Sequence, residues 1–171
     1  MDAASLRPDC ARCAALCCIA FAAEKSASFG VDKAAGEPCP NLDACGQCGI
    51  YDQRLDRGFG GCVQYDCLGA GQRVVQQQFA GRTWMDDAEL LAPTLAAFAL
   101  MRKVHELASL LVTAGQADLS ADDRGALDGL LVELDAVGDA VLLPAAPSRL
   151  RALEVEVRTF LTGLRRYFVG A

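Results

Sequence analysis

The sequence predicts a mainly α-helical protein in which a cysteine-rich module is packed on a helical bundle. All nine cysteines lie within the first 67 residues, among turns rich in glycine and proline. From about residue 83 onward, apolar residues recur at helical spacing and no cysteine occurs. We therefore expect a metal-binding module of one helix, loops and short strands at residues 1–82, and a three-helix antiparallel bundle at residues 83–171.

The first predicted helix runs from about residue 9 to residue 24, with Asp9 as its N-cap. A helix turns by about 100° per residue, so thiols three and four positions apart share a face. The thiols of Cys10, Cys13 and Cys17 would lie within about 60° of arc, and that of Cys18 about 100° beyond Cys17. The opening cysteines are thus expected to point at one site and its neighbour.

The middle of the module has the composition of loops. Residues 34–72 are interrupted repeatedly by glycine and proline, and short strands are predicted at 62–67 and 73–79. Gln76, Gln77 and Gln78 are expected on a solvated strand or turn. Such a stretch builds little hydrophobic core unless it is cross-linked.

Three long helices are predicted for the second half. The first begins at Asp86 and Asp87 and ends near Ala114, with Pro93 kinking it or marking its first turn. Ser120 is expected to cap the second helix, and Ser148 the third, which continues to Phe168. Apolar residues at steps of three and four line each helix, which predicts a shared core.

Composition and charge exclude several functions. The net charge of -6 argues against nucleic acid as a partner. No stretch of 18 uncharged apolar residues predicts a membrane span. No secretory signal is recognised at the start, so a cytoplasmic location is expected. In that reducing compartment clustered cysteines are more often metal ligands than disulfides.

The cysteine spacing predicts metal sites made almost entirely of sulfur. Structural zinc takes four thiolate or imidazole ligands, often from C-x2-C pairs such as Cys10–Cys13 and Cys45–Cys48. The single histidine, His105, lies far away in a predicted helix and is expected at a surface or in a groove. Eight cysteines would suit two mononuclear zinc sites or one binuclear site, with Cys17 and Cys18 serving one ion each or bridging.

Other chemistries remain open at this point. Four thiolates also hold iron–sulfur clusters, and thiophilic copper would make the chain a redox or metal-delivery protein. Disulfides are a further alternative. An enzyme with an open metal position is disfavoured because all-thiolate sites are closed and no nucleophile–base pair stands out. We expect a structural or interaction role, with a protein partner on a face of the bundle.

Several motifs together resemble a known family. The run Cys10-x2-Cys13-x3-Cys17-Cys18, the segment 38–42 (PCPNL), the segment 48–51 (CGIY) and the string 58–72 (GFGGCVQYDCLGAGQ) are similar to the CxxCxxxCC zinc- or iron-chelating domain family. They resemble the variant found ahead of pentapeptide repeats in actinobacterial proteins, although no such repeats follow here.

The resemblance implies a ligand class but no reaction. It implies eight metal ligands, and it places Cys45 outside the pattern as a possible additional ligand. The eight implied ligands are Cys10, Cys13, Cys17, Cys18, Cys39, Cys48, Cys62 and Cys67. Trp84 is expected to join the module to the bundle, and Gly69, Ala70 and Gly71 to form a tight turn near the metal.

Overall fold

The computed structural model describes residues 1–167, and within that range the protein is mainly helical, as the sequence predicts. Antiparallel pairing in this part of the chain is limited to two isolated bridges, Ala23 with Lys33 and Leu42 with Cys48. No helix in it is both long and apolar enough to cross a membrane. The helices are α1 (Leu16–Ala20), α2 (Gly60–Gln64), α3 (Ala70–Arg73), α4 (Leu91–Ala114), α5 (Ala121–Asp139) and α6 (Ala146–Gly163).

The predicted helix at 9–24 is wrong. Asp9 does cap a helical turn, but that turn is a 3-10 turn that covers only Cys10–Arg12. Ala14 and Ala15 then adopt left-handed backbone angles, with φ of 50° and 56°, and α1 starts after them. The indole Nε1 of Trp84 donates to the carbonyl oxygen of Ala14 at 2.9 Å. This tertiary contact accompanies a backbone that the helix propensity of alanine alone does not favour.

The predicted strands at 62–67 and 73–79 are also wrong. Cys62 lies inside α2, and α3 continues without a break into a π-helical turn, Val74–Gln78. The side chains of Gln72 and Gln76 hydrogen-bond the backbone of residues 7–12. Because the helix buries Ala70, Gly71, Val74 and Val75 on one side, its packing outweighs the strand preference of the valines.

The long helices begin close to their predicted starts, with one exception. Asp87 caps a 3-10 turn, Ala88–Leu90, that leads into α4, so Pro93 lies in the first turn. The Ser120 hydroxyl accepts from the backbone N–H of Asp123 and caps α5 as predicted. The predicted cap at Ser148 is wrong, because α6 starts at Ala146 and the Ser148 hydroxyl donates back to Ala145. The predicted end of this helix, Phe168, lies outside the described residues.

Two hydrophobic clusters meet along α4. The first is shared by α4, α5 and α6, whose buried side chains include Leu107, Leu134 and Val157. The second joins α4 to the cysteine-bearing part of the chain, through Phe98 and Met101 on α4 packed with residues of α1 and α3. Helix α4 therefore provides the surface against which the first cysteines are placed.

A long connecting segment contributes almost nothing to either cluster. Across residues 21–58, Gly46 is the single buried residue, and it has no side chain. The backbone is held by scattered hydrogen bonds, such as those pairing Ala23 with Lys33. Hydrophobic burial therefore cannot account for the conformation of this segment, which contains Cys39, Cys45 and Cys48.

Candidate metal centre

The opening cysteines are presented from two short turns rather than from one helix. Cys10 and Cys13 lie at the two ends of the 3-10 turn, and Cys17 and Cys18 lie on α1. The Sγ atoms of Cys17 and Cys18 are 4.0 Å apart. The left-handed pair at Ala14 and Ala15 redirects the chain between the two turns. The four thiols therefore approach one region from different directions.

Cys13 is the most deeply placed of these thiols. It is buried, and an added Cβ at Gly71 would stand 2.8 Å from its Cβ. Glycine is therefore required at this position of α3 for the helix to approach the thiol. Of the predicted tight turn, Gly69 does lie in a turn, with φ of 79°, whereas Ala70 and Gly71 are the first residues of α3.

The connecting segment brings two more thiols to α1. The backbone N–H of Cys39 donates to the carbonyl oxygen of Cys18 at 3.1 Å, and Asn41 donates to the Cys39 sulfur at 3.8 Å. Leu42 pairs with Cys48 in an antiparallel bridge that folds the loop back on itself. Cys48 therefore returns to the neighbourhood of Cys39. Cys45 lies exposed at the tip of this loop.

The last two cysteines flank a turn that is fastened to the long helix. Cys62 lies on α2, and the carbonyl oxygen of Cys67 accepts from the N–H of Ala70 at the start of α3. The Nδ1 atom of His105 hydrogen-bonds the carbonyl oxygen of Leu68, the residue after Cys67. The prediction of His105 at a surface or groove is wrong, because the ring is fully buried.

Adjacent thiols polarise one another. The hydrogen bond between Cys10 and Cys13, helped by the Arg54 guanidinium, lowers the pKa of Cys10 to about 6. The same hydrogen bond, together with burial, raises the pKa of Cys13. The hydrogen bond between Cys17 and Cys18 likewise lowers the pKa of Cys18 and raises the pKa of Cys17. Each pair thus favours ionisation of one of its thiols, and the thiolate is the form that binds metals.

The loop thiols are close enough to oppose one another's ionisation. Burial raises the pKa of Cys62 to about 11, with further contributions from Cys18, Cys39 and Cys48. Burial also raises the pKa of Cys48, and Cys18 and Cys39 add to the effect. A cation that bound here would relieve this repulsion and release protons.

Two cations missed by the sequence reasoning border the thiols. Arg54 stacks on the Tyr51 ring, 3.7 Å from its centroid, and donates to the carbonyl oxygens of Tyr51 and Cys62. Lys33 donates to the carbonyl oxygens of Ile19 and Phe21 at the C-terminal end of α1, where the helix dipole stabilises a positive charge. Tyr51 belongs to the CGIY segment, and this motif was the sequence feature that could have indicated a role for Tyr51 and its neighbour Arg54.

A third group missed by prediction is the unsatisfied phenol of Tyr65. The buried Oη atom of Tyr65 has no hydrogen-bond partner, and its ring contacts Phe21 edge-on with centroids 5.2 Å apart. Burial raises the pKa of Tyr65, and the Cys17 and Cys67 thiols add to that rise. A buried O–H without an acceptor is costly, and a thiolate beside it would supply the acceptor.

The donors fit a soft metal by type, whereas no closed site is preformed. Within residues 1–167, no three side chains of Cys, His, Asp or Glu are grouped so that they could hold a metal ion. Thiolates nevertheless select zinc, copper(I) and iron–sulfur clusters over hard cations.

Comparison with known proteins adds one relative. No protein-family model and no solved structure matches the chain. The chain is 40% identical over 102 residues to the uncharacterized protein YybG of Bacillus subtilis (strain 168). The alignment covers 60% of this chain and 37% of YybG, so the chain spans well under half the length of that relative. The likeness shows a relative of this chain and assigns it no activity.

Proposed function

We propose that this chain is a metal-binding protein that holds two zinc-like ions through cysteine thiolates, with a structural or interaction role. The observation that carries the proposal is the segment 21–58, which buries no side chain and yet is folded back onto α1 beside the thiols. The proposed ligands are Cys10, Cys13, Cys17, Cys18, Cys39, Cys48, Cys62 and Cys67, with Cys45 as a possible addition.

The metal would replace the hydrophobic core that this segment lacks. Ligand thiolates bind the folded arrangement far better than the unfolded chain, so metal-binding free energy becomes folding free energy. Arg54 and Lys33 would offset the negative charge of the thiolates. The side chains must still close around each ion, because no group of three donors is preformed within residues 1–167.

The finer architecture belongs to the same proposal. Residues 1–82 form the metal module of the CxxCxxxCC type, and residues 83–171 form a three-helix antiparallel bundle that carries it. The bundle exposes apolar side chains, among them Val132 and Val155 at 67% and 65%, and together with the net charge of -6 this favours a protein partner over nucleic acid. Reduced thiols as metal ligands also agree with a cytoplasmic location.

A second candidate is an iron–sulfur or copper protein for redox chemistry or metal delivery. The observation in its favour is Cys10, an exposed thiol whose pKa is lowered to about 6 by Cys13 and Arg54. An accessible thiolate at neutral pH suits metal exchange between proteins. An anaerobically purified brown protein that bleaches on reduction would contain an iron–sulfur cluster, and metal analysis distinguishes copper from zinc.

Metal analysis of the protein, purified without added metal, tests the proposal directly. We expect two zinc ions per chain, and none after dialysis against a strong chelator at neutral pH. Because the long helices have their own core, the chelated protein should keep most of its helical circular dichroism while losing the order of residues 21–58. A metal content below about 0.2 ions per chain, together with a structure that does not change on treatment with the chelator, would refute the structural role of the metal.

A further inference from the structure

The eight thiols fall into two groups that different parts of the backbone hold together. We propose that they form two adjoining four-thiolate sites, an inner one and an outer one. The inner site consists of Cys10, Cys13, Cys17 and Cys67, and the outer site of Cys18, Cys39, Cys48 and Cys62. This inference rests on the proposed metal binding and adds the division of ligands between the ions.

A series of backbone contacts, completed by the side chain of Arg54, connects the residues of the outer site. The backbone N–H of Cys39 donates to the carbonyl oxygen of Cys18, and the N–H of Leu42 donates to that of Cys39. Leu42 is in turn paired with Cys48 in an antiparallel bridge. The N–H of Tyr51 donates to the carbonyl oxygen of Cys48 at 3.1 Å. Arg54 then joins Tyr51 to Cys62 through their carbonyl oxygens. The backbones of these four cysteines are therefore connected through loops, with Arg54 as the neighbouring cation, and the side chains close around the ion when it binds.

Packing against the hydrophobic clusters defines the inner site. Cys17 and Cys67 both contact the cluster that joins α1 and α3 to α4. Cys13 lies against Gly71 in the first turn of α3, which begins three residues after Cys67. The segment 7–12 is bound to the same helix through Gln72 and Gln76. The inner thiols are thus held between the opening turn and α3.

Two thiols lie at the boundary between the groups. Cys10 neighbours both Cys18 and Cys13, and the Cys13 thiol donates to the carbonyl oxygen of Cys10 at 3.4 Å, which places Cys10 in the inner group. The sulfurs of Cys17 and Cys18, at 4.0 Å, are where the two sites adjoin. Neighbouring positions on a helix diverge by about 100°, so each can serve its own ion.

Tyr65 gives the inner site a chemistry of its own. Its buried hydroxyl has no hydrogen-bond partner, and its ring packs on Phe21, which contacts the same hydrophobic cluster as Cys17 and Cys67. When those sulfurs ligate a metal as thiolates, the phenol can donate to one of them. Hydrogen bonds to ligand atoms orient the ligands and alter metal affinity, typically by about 10- to 100-fold. Tyr65 is therefore a positioning residue of the inner site only.

Double substitutions in the full-length protein test the division. Zn²⁺ is titrated anaerobically into the reduced, metal-free protein in competition with a chromogenic chelator. The inner pair Cys13→Ala with Cys67→Ala should keep one tight ion, as should the outer pair Cys39→Ala with Cys62→Ala. The mixed pair Cys13→Ala with Cys39→Ala damages both sites and should keep none. Cys45→Ala is the matched control and should keep two.

The outcomes separate this inference from the function on which it rests. If the wild type binds no ion, metal binding itself is refuted. If it binds two, but the mixed pair retains as much metal as the inner and outer pairs, the division is wrong while metal binding stands. A single ion in the wild type overturns the two-site arrangement.

A second variant leaves every thiol in place and avoids loss of folding. In the Co²⁺-loaded protein, Tyr65→Phe should weaken one of the two ions about tenfold and shift only that ion's sulfur-to-metal charge-transfer band. Tyr167→Phe, at the far end of the bundle, should change neither ion. Equal weakening of both ions by Tyr65→Phe, or no change in either, would overturn the assignment of Tyr65 to the inner site.

Discussion

Asp123 gathers four polar contacts at one end of the long helices. Its carboxylate accepts hydrogen bonds from Tyr167, Arg166 and the Ser120 hydroxyl, while its N–H donates to Ser120. These hydrogen bonds, that of Tyr167 first, lower the pKa of Asp123 to about 2 from an ordinary 3.8. One residue thus joins the first turn of α5 to the 3-10 turn that follows α6.

The lowered pKa of Asp123 predicts a defined pH dependence. A carboxylate whose pKa is lower in the folded state stabilises that state above the unfolded pKa, and the stabilisation is lost as pH falls through the folded value. Asp123→Asn should therefore reduce the free energy of unfolding by a constant amount above about pH 5. The difference from wild type should shrink between about pH 4 and pH 2. Urea unfolding at each pH measures it.

Asp122 provides the control for this prediction. It lies in the same first turn of α5 but is exposed to solvent. Asp122→Asn should leave the free energy of unfolding nearly unchanged over the same pH range. A pH-independent difference between Asp123→Asn and wild type would contradict the role given to Asp123.

At the scale of elements, α5 contains three glycines in contrasting surroundings. A Cβ added at Gly125 or Gly129 would meet nothing within 4 Å. A Cβ at Gly138 would stand 2.7 Å from the Arg73 guanidinium, which is ion-paired to Asp135 and Asp139 at 2.9 and 2.8 Å. Gly138 therefore leaves space for Arg73, whereas the other two glycines only cost helix stability.

The same substitution at these positions should have opposite effects. Gly125→Ala and Gly129→Ala should each raise the free energy of unfolding by about 0.5–1 kcal/mol, because alanine restricts the unfolded chain and favours the helix. Gly138→Ala should lower it, since the guanidinium must leave its carboxylates. Thermal and urea unfolding followed at 222 nm compare the three. A stabilised Gly138→Ala protein would show that Arg73 is not held there.

The elements also show how far the sequence could predict the structure. The long helices were recognised because their apolar periodicity and caps, such as Ser120, agree with one another. The prediction of a helix at 9–24 was wrong because nothing in the local sequence at Ala14 and Ala15 indicates a left-handed backbone. The contact that accompanies this conformation comes from Trp84, about 70 residues away in the sequence. The division of the chain at residue 82 stays a prediction.

The site was less accessible to prediction than the fold. Cysteine spacing marked the candidate ligands, which remain a prediction. Spacing could not reveal Arg54 and Tyr65, because their relation to the thiols depends on how the loops close. It also misplaced His105, because the polar residues beside it in the sequence concealed a fully buried ring.

At the scale of the whole molecule, the long helices share a hydrophobic core whereas residues 21–58 have none, and this difference predicts selective proteolysis. Lys25 and Arg57 are exposed in the segment without buried side chains, whereas Arg151 is exposed on α6. Trypsin should cut the metal-free protein at Lys25 and Arg57 at least about tenfold faster than the zinc-loaded protein, because metal favours the closed form. Timed digestion with mass spectrometry measures the rates.

Arg151 is the internal reference for that digestion. Its helix is held by the bundle core, so cleavage there should be slow and independent of zinc. Zinc protection at Arg151 equal to that at Lys25 would mean that the metal stabilises the molecule as one unit. Absence of protection at both Lys25 and Arg57 would contradict the replacement of a core by metal.

The helical segment from Ala70 to Gln78 has a mechanical consequence. Cys67 precedes it, and Arg73 within it forms ion pairs with Asp135 and Asp139 on α5. Arg73 is the fourth residue of this segment, so about one helical turn lies between the start of α3 and Arg73. Leu68 and Gly69, both at positive φ, link that turn to Cys67. A movement of Cys67 would therefore act on the ion pairs of Arg73 through two turn residues and one helical turn.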